Sequence, residues 1–174
     1  MKFTLRQLSP IAIAIAIAVL ILGVTANRLF NGAKPAPEVR FATLKGELVN
    51  TSDLRGKVVL VNFWATTCAP CVQEIPALAA NHEKYQAQGF DTIAVAMEYD
   101  PPLLVKSYAE RNQLPFKVAL DARGEIAKRF GDVQLVPSSF VIDRQGRIIR
   151  SYVGALDFAK LRPILEAALK EPAA

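Results

Sequence analysis

One junction limits what this chain can fold into more than any other feature. Residues 56–65, GKVVLVNFWA, carry the apolar run VVLVNFW, which lacks the alternation of a half-solvated strand and reads as a strand buried on both faces. Residues 69–89, APCVQEIPALAANHEKYQAQG, follow at once, with Ile75, Leu78 and Ala79 on one face of a helical pattern and Gly89 as its stop. A buried strand that feeds straight into an amphipathic helix calls for a layered α/β domain, helices packed on a sheet. Cys68 and Cys71, the only cysteines in 174 residues, stand at the turn between the two elements.

Three readings of the pair are open at this level. A structural bridge across so short a loop constrains the unfolded chain little. Tetrahedral zinc wants four ligands, and the chain holds a single histidine, His82; two thiolates alone suit a soft ion such as Cu(I). The redox reading has a mechanism. On the first turn of a helix, unpaired N–H groups and the positive end of the dipole favour a thiolate, the attacking species in disulfide exchange. On that reading Cys68 is the exposed nucleophile, and Cys71, one turn on and facing inward, is the resolving thiol that closes a Cys68–Cys71 disulfide. Pro70, at an early helical position between them, stiffens the loop.

The N-terminus differs from the rest. Lys2 and Arg6 precede an apolar stretch, IAIAIAIAVLILGVTA, at residues 11–26, and no acid occurs before Glu38. This is how a secretory signal or a single membrane anchor reads. Residues 8–26 would span roughly 28 Å as a helix, close to a hydrocarbon core, which favours an uncleaved anchor over cleavage after VTA. Three of the 21 basic residues and none of the 16 acidic ones lie before residue 31, so the remainder carries +2 and a nucleic-acid partner has little support. Lys2 and Arg6 should stay in the cytoplasm, with the chain after Arg28 outside. The expected organisation is an anchor or signal segment over 1–30, a Pro-rich spacer over 31–38 and one domain over 39–174.

The stretch VVLVNFWATTCAPC resembles the thioredoxin superfamily, and CVQEIP within and after it resembles the membrane-anchored TlpA/ResA-like branch; the resemblance covers roughly residues 37–170. It implies a thioredoxin fold with a central mixed sheet flanked by helices. It also implies thiol–disulfide exchange, usually in the reducing direction, on the periplasmic or outer face of the membrane, with no cofactor beyond the cysteines and no metal. Partners in that branch are protein thiols and disulfides, such as apocytochrome c or copper-site thiols, with electrons from a membrane thiol carrier. Pro137 is then expected to be cis and to lie against the cysteine loop, Val136 to offer backbone groups to an extended substrate, and Trp64 to pack beside the site.

Glu74 follows Cys71 by three and shares its helical face. As an acid in an early helical turn, favoured by the dipole, it also reads as a water-exposed residue without chemistry. Thioredoxins keep a buried aspartate where this chain has Asn62, which cannot take a proton, so the resemblance assigns the proton-acceptor role to Glu74. Thr67 departs from the family, which commonly has Trp before the first cysteine. Pro76 reads as a helix kink without chemistry. His82 reads as a solvated residue, and no later histidine exists to complete a copper site of the Sco type.

The expected order is a strand pair near 39–50, strand 57–63, helix 69–88, strand 91–97, helix 102–112, strand 117–120, a short helix 124–130, a hairpin over 138–153 and helix 157–170. PPLLVKSYAERNQ and FKVALD match the insert of the TlpA/ResA-like branch. The last helix should bury Phe158, Leu161, Leu165 and Leu169.

Overall fold

The computed structural model describes residues 15–21 and 33–172. It divides into two units, 1–32 and 33–174. In the first, residues 15–21 are helical and exposed; the rest of the expected span over 8–26 lies outside the described residues. No helix among the described residues is long and apolar enough to cross a membrane.

The second unit is built on β4 (Val58–Trp64), every residue of which is buried. β4 lies between β5 (Phe90–Ala96), its parallel partner, and β7 (Ser138–Ile142), its antiparallel one. Helices and loops cover both sheet faces, so the run is apolar throughout. Its period of two still sorts the side chains. Val58, Leu60 and Trp64 join a cluster with Cys71, Ile75, Leu78, Leu161 and Leu165, while Val59, Val61 and Phe63 join Phe41, Ile93 and Phe130 on the other face. Asn62, between Leu60 and Trp64 in that alternation, therefore points to the face that carries the cysteine helix.

That helix is α1 (Ala69–Tyr85), followed by a short 3₁₀ turn, Gln86–Gln88. Gly89 ends it at φ +91°, a conformation that suits glycine, and its carbonyl accepts the N–H of Val58 at 3.0 Å. The insert supplies α2 (Pro102–Arg111) and β6 (Lys117–Leu120), which extends the sheet by parallel pairing with β5. Then come α3 (Glu125–Arg129), β7, β8 (Arg147–Val153) and α4 (Phe158–Lys170). Ahead of β4, β2 (Arg40–Ala42) and β3 (Leu48–Asn50) form a separate antiparallel pair. This is a thioredoxin-like α/β fold with a mixed central sheet.

The expected elements agree with the observed ones to within one to three residues at their ends. One strand was not expected. β1 (Lys34–Pro35), in the stretch read as a spacer, pairs with Ile148 and Arg147 of β8, and the sheet runs β1-β8-β7-β4-β5-β6. Two residues are too few to show a period, and the proline sits on a sheet edge, where its missing donor costs nothing. In α4, Leu161, Leu165 and Leu169 are buried and Phe158 packs against them half-buried, with Asp157 capping the helix through the N–H groups of Ala159 and Lys160.

Candidate active site

Cys68 is the N-cap of α1, the last extended residue before the helix, and the geometry follows from that position. Its Sγ accepts the N–H of Cys71 at 3.3 Å, satisfying one of the four donors a helix start leaves free. Pro70, exposed within the first turn, has no N–H to satisfy there. Cys68 and Cys71 are joined by a disulfide with their Cα atoms 5.3 Å apart. Cys68 is half-buried and flanked by the exposed Thr67, Ala69 and Pro70, whereas Cys71 is wholly buried in the core cluster. The two sulfurs therefore differ in access: a partner can reach the first and not the second.

The Val136–Pro137 peptide bond is cis, and the Val136 carbonyl oxygen lies 3.6 Å from Cys68 Sγ. Pro137 is buried at the head of β7 while Val136 stays partly accessible. Cys68 and the residue before cis-Pro137 thus meet although 68 positions separate them.

Glu74 lies one turn beyond Cys71 on the same face of α1 and is only 6% exposed. Its Oε1 accepts from Asn62 Nδ2 at 2.8 Å and its Oε2 from the backbone N–H of Leu156 at 3.0 Å. Burial raises its pKa above the ordinary carboxylate value, and the Leu156 and Asn62 hydrogen bonds pull the other way. Asn62 Nδ2 also donates to Ser139 Oγ at 2.9 Å, tying α1 to β4 and β7 under the cysteines.

Trp64 belongs to the support of the site rather than to its surface. It is wholly buried, packs on Tyr108 with ring centroids 5.3 Å apart and shares a cluster with Cys71. That burial puts Trp64 in the packing beneath Cys71. His82 is corrected. It is 6% exposed, wedged against Phe90 and Phe116 at 6.3 and 6.0 Å, and burial lowers its pKa. Its neighbours along the helix are polar, but the aromatic rings that cover it come from β5 and the approach to β6. It lines a cavity of about 620 Å³, with Leu44, Phe90, Asp91, Phe116 and Lys117, which includes no residue of the cysteine site.

Two contributors were absent from the sequence reading. Asp100 is buried and accepts at 2.6 Å from both the N–H and the Oγ1 of Thr66, fixing the loop two residues before Cys68. The acid ahead of Pro101–Pro102 signals a turn at a helix start, but nothing local names Thr66 as its partner. Ser139 was the other; a serine at an inward position of a strand is the only sequence signal, and it is weak.

A family model described as Redoxin matches residues 31–169. A thiol-disulfide oxidoreductase ResA of Bacillus thuringiensis subsp. konkukian is 36% identical over 121 residues, 70% of this chain and 69% of the relative. ResA of Geobacillus thermodenitrificans is 33% identical over 132 residues, 76% of this chain and 75% of the relative. Among solved structures, a thiol:disulfide interchange protein of the thioredoxin family from Chlorobium tepidum is similar with a TM-score of 0.71 and 30% identity, over 79% of this chain and 97% of that one.

Proposed function

We propose that this chain, which belongs to the Redoxin family and is a thiol–disulfide oxidoreductase of the ResA type, reduces disulfides of partner proteins outside the cytoplasm. The observation that carries the reading is the asymmetry of the pair: Cys68 at the surface against the Val136 carbonyl, Cys71 buried one turn from Glu74. In the reduced protein, the Cys71 N–H and the start of α1 favour a thiolate on Cys68. That thiolate attacks a partner disulfide, one partner sulfur leaves as thiolate, and a mixed disulfide with Cys68 forms. Cys71 then loses its proton to Glu74 and attacks Cys68 Sγ. The Cys68–Cys71 bond forms, the bond to the partner breaks, and the partner leaves fully reduced while the enzyme dithiol is oxidised. The backbone of Val136, ahead of cis-Pro137, holds the partner segment extended beside Cys68.

The finer reading places the N-terminal segment, 1–30, in the cytoplasmic membrane as an uncleaved anchor with the domain on its outer face. The partner class is an apocytochrome c or a copper-site protein with paired thiols, and a membrane thiol carrier re-reduces the enzyme. The apolar run and basic start of the first 30 residues support the anchor; the resemblance of the cysteine stretch supports the partners.

The test is the equilibrium reduction potential of the full-length protein in detergent, titrated against a thiol buffer. A value near about −270 mV supports a reductase; a value near about −120 mV makes the protein an oxidant on the same scaffold. If no reversible disulfide forms, the redox reading fails and Cu(I) binding to the two thiolates is tested instead. Cys68→Ser should abolish turnover of a disulfide substrate, because no other cysteine is reachable.

A further inference from the structure

We propose that Asn62 is a positioning residue whose amide holds Glu74 as a carboxylate until Cys71 gives up its proton, and turns over when Glu74 takes it. The inference rests on Glu74 as the proton acceptor and adds the device that keeps it ready.

Asn62 is wholly buried on β4, directly opposite Ser139 of β7, also wholly buried. Both bonds it makes are donated from Nδ2, to Glu74 Oε1 at 2.8 Å and to Ser139 Oγ at 2.9 Å. Its Oδ1 is buried and has no hydrogen-bond partner among the described residues. Buried polar atoms are nearly always paired, so an unpaired carbonyl oxygen beside a doubly used amide nitrogen calls for a reason.

The reason is the charge state of the neighbour. A carboxylate only accepts, so Glu74 needs a donor facing Oε1. With the amide reversed, Oδ1 would face Oε1 lone pair to lone pair. Once Oε1 carries the proton taken from Cys71, the opposition is reversed: an O–H then faces an N–H, two donors in contact. A half turn of the amide removes the conflict, because Oδ1 accepts from Glu74, and the Ser139 hydroxyl, which both donates and accepts, turns its hydrogen to the same oxygen. Glu74 Oε2 keeps the Leu156 N–H throughout, so the carboxyl group stays in place.

The two states are not equivalent. Before protonation the unpaired atom is a carbonyl oxygen; afterwards it is an amide nitrogen with two hydrogens. Buried unpaired N–H groups are tolerated less well than under-used carbonyls. The amide thus favours ionised Glu74 against the burial that opposes ionisation. An aspartate in place of Asn62 would itself take the proton and could not act this way.

The experiment is a stopped-flow reaction of the reduced full-length chain, in detergent, with dithiobis(nitrobenzoate) across a pH series. The first thionitrobenzoate released reports attack by Cys68, and the second reports the resolving attack by Cys71. Asn62→Leu should move the acid limb of the second phase upward by roughly 1–2 pH units, the expected loss of one hydrogen bond to a charged group, and leave the first phase in place. An acid limb that stays put in Asn62→Leu overturns the proposal. Glu74→Gln separates the two layers. If its second phase keeps the wild-type acid limb, Glu74 is not the acceptor and the broader reading fails as well. If that limb is lost in Glu74→Gln and unmoved in Asn62→Leu, only the role of Asn62 falls. Should Asn62→Leu not fold, heteronuclear NMR of the wild-type oxidised chain decides. The Asn62 side-chain amide resonances must shift with the midpoint of the Glu74 carboxyl carbon, and flat amide resonances through that midpoint overturn the proposal.

Discussion

Five carboxylates of this domain are buried; Asp100 holds Thr66 by two 2.6 Å bonds, and the other four are very differently held. Asp91 accepts from Lys117 at 2.7 Å, Lys57 at 3.4 Å and the N–H of Thr92 at 2.9 Å. Asp143 is paired with Arg147 at 2.7 Å and accepts the N–H groups of Gln145 and Arg147. Asp121 accepts the N–H groups of Ile126 and Ala127 at the start of α3. Glu74 has one backbone N–H, one neutral amide and no ion pair among the described residues. These three aspartates sit where the chain turns or the sheet ends, and each accepts from two or more donors. Glu74 sits under the cysteines, where burial raises its pKa and only two neutral donors pull the other way. Asp100, with one backbone N–H and one hydroxyl, is as lightly compensated as Glu74, so place separates the structural acid from the working one: Asp100 braces the loop at Thr66, and Glu74 lies one turn from Cys71.

The sharpest break between the two kinds is kinetic. Glu74→Gln should slow the resolving step by about 10²–10⁴-fold, the usual span for loss of a general base, while the denaturation midpoint near neutral pH stays level or rises. Asp121→Ala should do the reverse. It leaves two N–H groups of α3 unpaired, costs roughly 1–3 kcal/mol in denaturant unfolding, and leaves the exchange rate per folded molecule unchanged. If both variants lose stability and keep their rate, the distinction collapses.

The pH dependence of stability sharpens it further. Burial raises the Glu74 pKa, so the folded state holds this proton more tightly than the unfolded one. Its contribution is full below the ordinary carboxylate value and is lost as pH rises through the folded value. Unfolding curves of the wild type should show that decline, and those of Glu74→Gln should lack it. The smallest effect expected is at His82, whose pKa burial lowers, with Asp91 raising it and Lys117 lowering it further. Stability from this group is full above the ordinary histidine value and is lost as pH falls from there towards the folded value. His82→Phe should flatten that limb without touching exchange.

Much of the domain could be read in the sequence because it is local. The apolar run of β4, the helical period of α1, the cap position of Cys68 and the stop at Gly89 are set by neighbours a few residues apart, where backbone period and turn chemistry act. The same period puts Asn62 on the face of Leu60 and Trp64, so the amide could be placed on the cysteine side before any contact was seen. β1 escaped because pairing along a sheet edge uses backbone groups and leaves no side-chain pattern in two residues.

The site is another matter. Asn62 meets Ser139 across 77 positions, Glu74 meets the Leu156 N–H across 82, and Cys68 meets the Val136 carbonyl across 68. His82, polar by its helical neighbours, is buried by rings from other elements. Residue types and local spacing chose the chemistry available to the chain: two thiols at a helix start, with an acid one turn beyond. Which of those groups are buried, what each hydrogen-bonds and which protonation state that favours depend on chain-distant partners, and these come together only when the sheet closes around β4.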